Sequence, residues 1–171
     1  MLRFTHKTKS ESGLTLTLNY ELRQKSRQRV ELDNGEEAGL FLERGIILRE
    51  GDCLATDEGQ TVMIKAAKEA VSTVYCSDAL QMARACYHLG NRHVALQITE
   101  KFIRFQADHV LDELCHGLGL TVLSEEAPFE PEPGAYGDYG HVQGHSHNDS
   151  DADADAHSHS HTHNHQHNHD H

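Results

Sequence analysis

Residues 71–90 have the sequence VSTVYCSDALQMARACYHLG, which predicts a β-strand followed directly by an α-helix. The strand covers residues 71–76, where β-branched and aromatic side chains predominate. Ser77 is a good helix N-cap, and Gly90 suits the position just beyond the helix C-terminus. The predicted apolar side of this helix consists of Leu80, Met82, Ala83, Cys86 and Leu89.

The segment after this helix predicts two further strands. Val94, Leu96 and Ile98 alternate with small or polar residues, as expected of a half-buried strand. A turn at residues 100–101 then leads into a third strand at residues 102–106.

A second helix and a last strand complete the pattern. Asp108 can cap the helix, Gly119 can end it, and residues 121–123 supply the strand. The helix carries its apolar residues at Val110, Leu111, Leu114, Cys115 and Leu118. The order β-α-β-β-α-β predicts a ferredoxin-like unit whose sheet packs two helices on one face. The other face is open to a partner, so we expect a homodimer through this domain.

The chain before residue 71 has a β-rich pattern. Residues 14–18 alternate with period two, and residues 30–32 lead into Asp33-Asn34-Gly35, where Asn-Gly favours a tight hairpin. Further short apolar runs lie at residues 39–42, 46–48 and 62–64, separated by turns that contain glycine. This spacing predicts a small sandwich or barrel.

The C-terminal residues 141–171 contain eleven of the chain's 16 histidines. From residue 157 onward every second residue is histidine, and the residues between them are polar. Neutral imidazole binds late first-row divalent metals, so the run predicts a metal reservoir. An expression tag is also rich in histidine, but tags are usually uninterrupted runs, whereas this one alternates with varied polar residues. The candidate metal ligands in the tail are His141, His145, His147, His157, His159, His161, His163, His165, His167, His169 and His171.

The sequence thus predicts an α+β protein in three parts. Residues 1–70 form a β-rich sandwich or barrel domain, and residues 71–136 form the ferredoxin-like domain. An extended exit segment holds all three prolines. Residues 137–171, rich in aspartate and histidine, are expected to be a metal-binding tail that is disordered without metal.

Composition excludes several classes of protein. The formal net charge is −12 with histidine neutral, and no basic patch stands out, which argues against nucleic-acid binding. No apolar run approaches the roughly 18 residues of a membrane helix, and the N-terminus lacks an apolar signal core. The four cysteines include no Cys-x-x-Cys pair, so each is expected to be a reduced, small apolar residue. A soluble, cytoplasmic protein fits these features.

His88 and His93 flank the turn between the first helix and the second strand of the ferredoxin-like domain. His93 is expected to open that strand with its ring on the side of Ala95 and Gln97, the face proposed for the dimer. Across a two-fold axis two His93 rings would converge on one point, which suits a labile site that other ligands complete. Alternatively, His93 is a capping residue that hydrogen-bonds the turn, and spacing alone does not separate the two.

Residues 85–97, with the sequence ACYHLGNRHVALQ, closely resemble the signature of the UreE family of urease accessory nickel metallochaperones. The resemblance extends to residues 108–111, to residues 129–136 and to the histidine-rich tail, so it covers essentially the whole chain. The Gly-Asn-Arg-His turn is the specific part of the match, because other nickel and zinc proteins also carry histidine-rich tails.

The resemblance implies roles for two histidines. His93 would be the metal ligand at the subunit interface, and His109 would occupy a peripheral metal position. Some family members have another histidine two residues before the latter, where this chain has Ala107, so the chain offers one histidine at this position. His88 is interpreted as structural. His6 and His116 are interpreted as surface residues.

The resemblance also implies a function, namely delivery of Ni²⁺ to urease. The expected partners are the urease apoprotein and its accessory proteins, including the urease GTPase. Imidazole-rich sites also accept Cu²⁺ and Zn²⁺, which should compete with nickel. The β-rich domain resembles a peptide-binding module of heat-shock chaperones. Storage or buffering of nickel or zinc is the alternative, and an enzyme is not expected, since no His-Glu-x-x-His, phosphate-binding loop or nucleophile elbow is found.

Overall fold

A computed structural model describes residues 1–133, which form two sheets one after the other along the chain. The first part contains β1 (Leu2–Thr8), β2 (Thr15–Leu18), the one-turn helix α1 (Tyr20–Arg23), β3 (Arg27–Glu31), β4 (Glu37–Phe41), β5 (Cys53–Thr56) and β6 (Thr61–Ala66). The second part contains β7 (Lys68–Tyr75), α2 (Ala79–Gly90), β8 (Gln97–Ile98), β9 (Phe102–Gln106), α3 (His109–Gly117) and β10 (Val122–Pro128). The predicted tail and the end of the predicted ferredoxin-like domain lie outside the described residues. No helix within residues 1–133 has the length and apolar character needed to cross a bilayer.

The first sheet has six strands in the order β2-β6-β5-β1-β4-β3. Its outermost strands are brought together by Asp33, whose N–H donates to the Thr15 carbonyl at 2.9 Å. The Asp33 carboxylate accepts hydrogen bonds from the hydroxyls of Thr15 (2.5 Å) and Thr17 (2.8 Å). These contacts nearly close the sheet into a barrel, which confirms the predicted β-rich architecture. Its fully buried core includes Phe4, Leu16, Leu40, Leu48, Leu54, Val62 and Ile64.

Sequence patterns located most strands of this sheet but not all of them. The hairpin between β3 and β4 is confirmed, with Gly35 at a φ of 86°. The apolar run at residues 46–48 is not a strand, because the segment is a loop that buries Leu48 outside the sheet. Strands β1 and β5 were not predicted. In β1 only Leu2 and Phe4 are apolar, so its central place in the sheet leaves little trace in the sequence.

The second sheet confirms the predicted ferredoxin-like unit. Its strand order is β10-β7-β9-β8, and all neighbouring strands are antiparallel. Both helices cover one face of this sheet, where they form a single apolar core. The strands contribute Val74, Ile103 and Phe105, and the helices contribute Ala85, Leu89, Leu111 and Cys115.

Helix α2 differs from its prediction at both ends. Its N-cap is Asp78, not Ser77, and the Asp78 carboxylate accepts the N–H of Gln81 at 2.8 Å. The helix continues through Gly90 and is capped by Asn91. Of its predicted apolar side, Leu89 is buried and Met82 and Cys86 pack against the core. Leu80 is 60% exposed and Ala83 is exposed, whereas the buried Ala85 is not part of the prediction.

Helix α3 agrees more closely with its prediction. The Asp108 side chain caps it by accepting the N–H of Val110 at 2.8 Å, as expected. Gly119 follows the helix with a φ of 78°, a backbone conformation that favours glycine. Val110 was placed on the apolar side and is instead 48% exposed. The C-terminal strand β10 is longer than expected and pairs with β7 along its whole length.

Candidate metal centre

Backbone hydrogen bonds connect the turn that follows α2 to the last turn of the helix. The N–H of Asn91 donates to Tyr87 O (3.1 Å), that of Arg92 to Leu89 O (3.0 Å) and that of His93 to Gly90 O (2.9 Å). His93 has a φ of 56°, the one positive φ at a non-glycine residue between residues 1 and 133. The prediction that His93 opens a strand is therefore wrong, since β8 begins only at Gln97.

The left-handed backbone of His93 has an energetic cost. For an L-residue other than glycine this conformation is less stable by about 1–2 kcal/mol, and such strain concentrates at functional positions. The imidazole is exposed. Glycine would adopt this backbone conformation at lower cost. An exposed histidine at this position therefore indicates that the imidazole itself has a role.

A depression of about 660 Å³ lies beside this turn. His93 and residues 94–96 form one side of it. Cys86 from α2 and Tyr20 from α1 also line it, so both parts of the chain contribute to its walls. Burial raises the pKa of the Cys86 thiol, which keeps it protonated and makes it a weaker metal ligand than a thiolate.

The remaining wall of the depression is formed by the exit strap, which we define as residues 129–133. Glu132 and Pro133 line the depression directly, and the N–H of Glu132 donates to Leu96 O at 2.7 Å. Phe129 is fully buried and contacts Tyr20 edge to face, with ring centroids 5.3 Å apart. No local sequence pattern marks the strap or α1 as part of the site, because both approach the turn through long-range contacts.

Apart from His93, the histidines within residues 1–133 do not line this depression. His109 is the exposed first residue of α3, next to its N-cap. His88 lies in the last turn of α2 and contacts the ring of Tyr87 edge to face at 5.3 Å. Within residues 1–133, no group of three or more His, Cys, Asp or Glu side chains is arranged to hold a metal ion. Any site that uses His93 therefore needs ligands from beyond this set.

Three of the four cysteines have the character of apolar residues. Cys115 is fully buried in the helix-sheet core, and burial raises its pKa to about 11. Cys76 and Cys86 are partly buried against the same core, and burial raises their pKa values too. None of these three thiols favours the ionised form that binds metals.

The face of the second sheet opposite the helices is only partly covered. At one end, Tyr75 is 56% exposed and Leu123 is 48% exposed, and the Tyr75 ring contacts Phe102 at 5.8 Å. In the middle of the face, Arg104 donates to the Glu125 carboxylate at 3.0 Å. This end of the sheet is an apolar surface beside a charged pair.

Comparison with known proteins finds matching family models for both parts of the chain and relatives over most of it. Residues 2–67 match the family model of the UreE urease accessory protein N-terminal domain, and residues 69–171 match that of its C-terminal domain. A protein of Alkalilimnicola ehrlichii named urease accessory protein UreE is 63% identical over 123 residues, covering 72% of this chain and 76% of the relative. Proteins of the same name from Tolumonas auensis and Vibrio parahaemolyticus are 56% and 48% identical, covering 80% and 85% of this chain and 76% and 96% of the relative. With both halves matched in order, the chain belongs to the UreE urease accessory protein family.

Proposed function

We propose that this protein is a metallochaperone that binds Ni²⁺ and delivers it during assembly of the urease active site. Membership of the UreE family supports a role in urease maturation. The observation that carries the metal assignment is the exposed imidazole of His93, held on a left-handed residue beside an open depression. Neutral imidazole suits nickel, although Cu²⁺ and Zn²⁺ would compete for it.

In this proposal the chain works as a homodimer through residues 71–136, the ferredoxin-like domain. One His93 from each subunit would bind a nickel ion at the two-fold axis, which gives two protein ligands and leaves coordination positions open. The exposed apolar end of the sheet, with Tyr75 and Leu123, offers surface that a second copy can bury. His109 would bind nickel at a peripheral position on each subunit.

Transfer would proceed by ligand exchange. Histidines of the tail, residues 137–171, would collect the ion first, and the paired His93 residues would then hold it. A partner with better-matched ligands would withdraw it, because an incompletely coordinated ion can accept an incoming ligand before it loses an old one. Selection of nickel over competing metals would come from the partner, since imidazole alone does not provide it.

The proposed partners are the urease apoprotein and the accessory proteins that assemble its active site, including the urease GTPase, in the cytoplasm. Residues 1–70 would contact these proteins. The protein itself would act without catalysing a reaction, in line with relatives that are named accessory proteins.

The second candidate function is storage or buffering of nickel or zinc. The eleven histidines of residues 141–171 favour it, because a reservoir needs many ligands and no recipient. The two functions are separated by mixing the nickel-loaded protein with urease apoprotein, with and without the partner GTPase and GTP. A metallochaperone should increase urease activation beyond that given by the same amount of free nickel. A storage protein should lower activation, because it competes for the metal.

A further inference from the structure

Arg23 is the largest side chain that is fully buried in the described part of the chain. Its guanidinium donates to carbonyl oxygens of the first part, from Nε to Leu18 O at 3.2 Å and from Nη1 to Leu48 O at 3.0 Å. It also reaches the exit strap, where Nη2 donates to Phe129 O at 2.5 Å and Nη1 pairs with the Glu130 carboxylate. One side chain of α1 thus connects three separate segments.

A gain in stability does not by itself explain why an arginine is buried here. A guanidinium loses its hydration when it is buried, and apolar residues of similar volume often stabilise a protein as well as a buried ion pair does. The guanidinium adds geometry, because its planar set of donors fixes the direction of each acceptor. Here those acceptors set the position of the exit strap relative to α1.

The strap in turn contacts the residues that follow His93. The N–H of Glu132 donates to Leu96 O at 2.7 Å, and the N–H of Glu130 donates to the Gln97 side chain at 3.1 Å. A second arginine, Arg49, donates to Pro131 O at 2.5 Å. The strap is therefore held on one side by two arginines of the first part and on the other by the residues that follow the turn of His93.

We propose that Arg23 is a positioning residue for the His93 metal centre and acts through the exit strap. The proposal rests on the proposed function, because it assumes that His93 binds nickel. Groups that orient a metal ligand without touching the metal commonly change its affinity, since a loosely held ligand must be ordered when the ion binds. Without Arg23 the strap would hold Leu96 and Gln97 less firmly, and the depression beside His93 would lose a fixed wall.

The test follows nickel binding residue by residue in the full-length, ¹⁵N-labelled protein. Ni²⁺ is paramagnetic and broadens the amide signals near its site, so substoichiometric nickel reports the amides of Gly90 and Ala95 directly. Amide hydrogen exchange of Glu132 reports whether the strap is released. The variants are Arg23→Met and the milder Arg23→Lys, which keeps the charge but cannot reach all of its present acceptors.

Two control variants separate positioning from general effects. Lys25→Met removes a cation just after α1 that pairs with Glu21 at 2.8 Å on the surface. Leu40→Ala removes a fully buried core side chain of β4 and lowers stability without touching the strap. Both controls should keep the nickel dependence of the wild type at a temperature where they are folded.

For Arg23→Met we expect faster exchange at Glu132 and a nickel concentration for half-broadening at Gly90 and Ala95 that rises roughly tenfold. Faster exchange at Glu132 with unchanged nickel dependence would overturn the proposal, and so would an equal shift in Leu40→Ala. If Arg23→Met does not fold, Arg23→Lys decides by the same criteria. If the wild type itself shows no broadening at Gly90 and Ala95 while tail signals broaden, the proposed metal centre is wrong and this proposal is overturned with it.

Discussion

His93 donates its backbone N–H to the carbonyl oxygen of Gly90 at 2.9 Å while its own φ is 56°. The hydrogen bond closes a tight turn after the helix, and His93 leaves that turn with a left-handed backbone. Glycine would adopt this conformation without the side-chain cost. The histidine at this position therefore costs stability, which makes stability and metal binding separable by mutation.

We expect His93→Gly and His93→Ala both to lose the nickel site that does not depend on the tail. They should differ in stability, because His93→Gly relieves the left-handed strain and His93→Ala does not, a difference of about 1 kcal/mol. Urea denaturation measures the stability, and calorimetric nickel titration of chains ending at Gly140 measures the site. His88→Ala is the matched control and should have the milder effect on nickel. Nickel binding by His93→Ala equal to that of the parent chain would refute the assignment.

The cap of α2 offers a test of which residue begins the helix. Asp78→Ala removes the acceptor for the Gln81 N–H and should destabilise the protein by about 1 kcal/mol. Ser77→Ala should cost less, because the Ser77 hydroxyl bonds only exposed side chains, at 3.1 and 3.2 Å. Thermal unfolding of the two variants decides the point. A larger loss for Ser77→Ala would mean that the helix begins one residue earlier.

How far the sequence predicted the fold depended on the kind of contact. The Asp108 cap and the Asn-Gly hairpin are local, so their residue types alone located them. In contrast, β1 lies between β5 and β4, and its pairing partners are far away in the chain. Its polar composition gave no reason to expect a central strand.

The candidate site shows the same division. The turn that carries His93 was identified from its own residues, although the continuous alternation of Val94, Leu96 and Ile98 wrongly predicted that it belongs to a strand. Val94 and Leu96 do pack against the helix-sheet core, as the alternation predicts, but they lie in a loop before β8, and Ile98 is 40% exposed. Arg23 was missed, since a buried arginine looks like a surface arginine in the sequence.

Closure of the first sheet should depend on pH through Asp33. Burial alone would raise the pKa of this carboxyl, but hydrogen bonds from Thr15 and Thr17 outweigh that effect and lower its pKa. Since the folded pKa lies below the unfolded value of about 4, the carboxylate stabilises the fold above that pH, and the contribution is lost as pH falls through the folded pKa. Asp33→Asn should therefore be less stable than the wild type at pH 7. Urea denaturation should show that the difference in unfolding free energy between the wild type and Asp33→Asn becomes smaller at low pH. A difference that does not change with pH would exclude this role.

Removal of the tail should separate nickel capacity from folding. A chain ending at Gly140 loses 31 residues that include almost no apolar side chains, so it should stay folded and dimeric. It should lose most of its nickel capacity yet keep about one ion per dimer. Calorimetric titration gives the stoichiometry, and light scattering gives the mass. Complete loss of nickel binding would mean that the tail holds all of the metal.

Nickel should be released as the pH falls from about 7 to about 5, because protons compete for the imidazole nitrogen that binds the metal. Sites that depend on several imidazoles respond steeply, since each ligand lost weakens the hold of the others. Nickel should leave the tail before it leaves the His93 site. The residues between the tail's histidines from residue 157 onward are all polar and supply no apolar side chain to pack on the rings, whereas the backbone of His93 is fixed by the Gly90 hydrogen bond and, in the proposed dimer, by its symmetry mate. Spectroscopic titration of the full-length chain and of the chain ending at Gly140 tests the order, and earlier release from the shorter chain would contradict it.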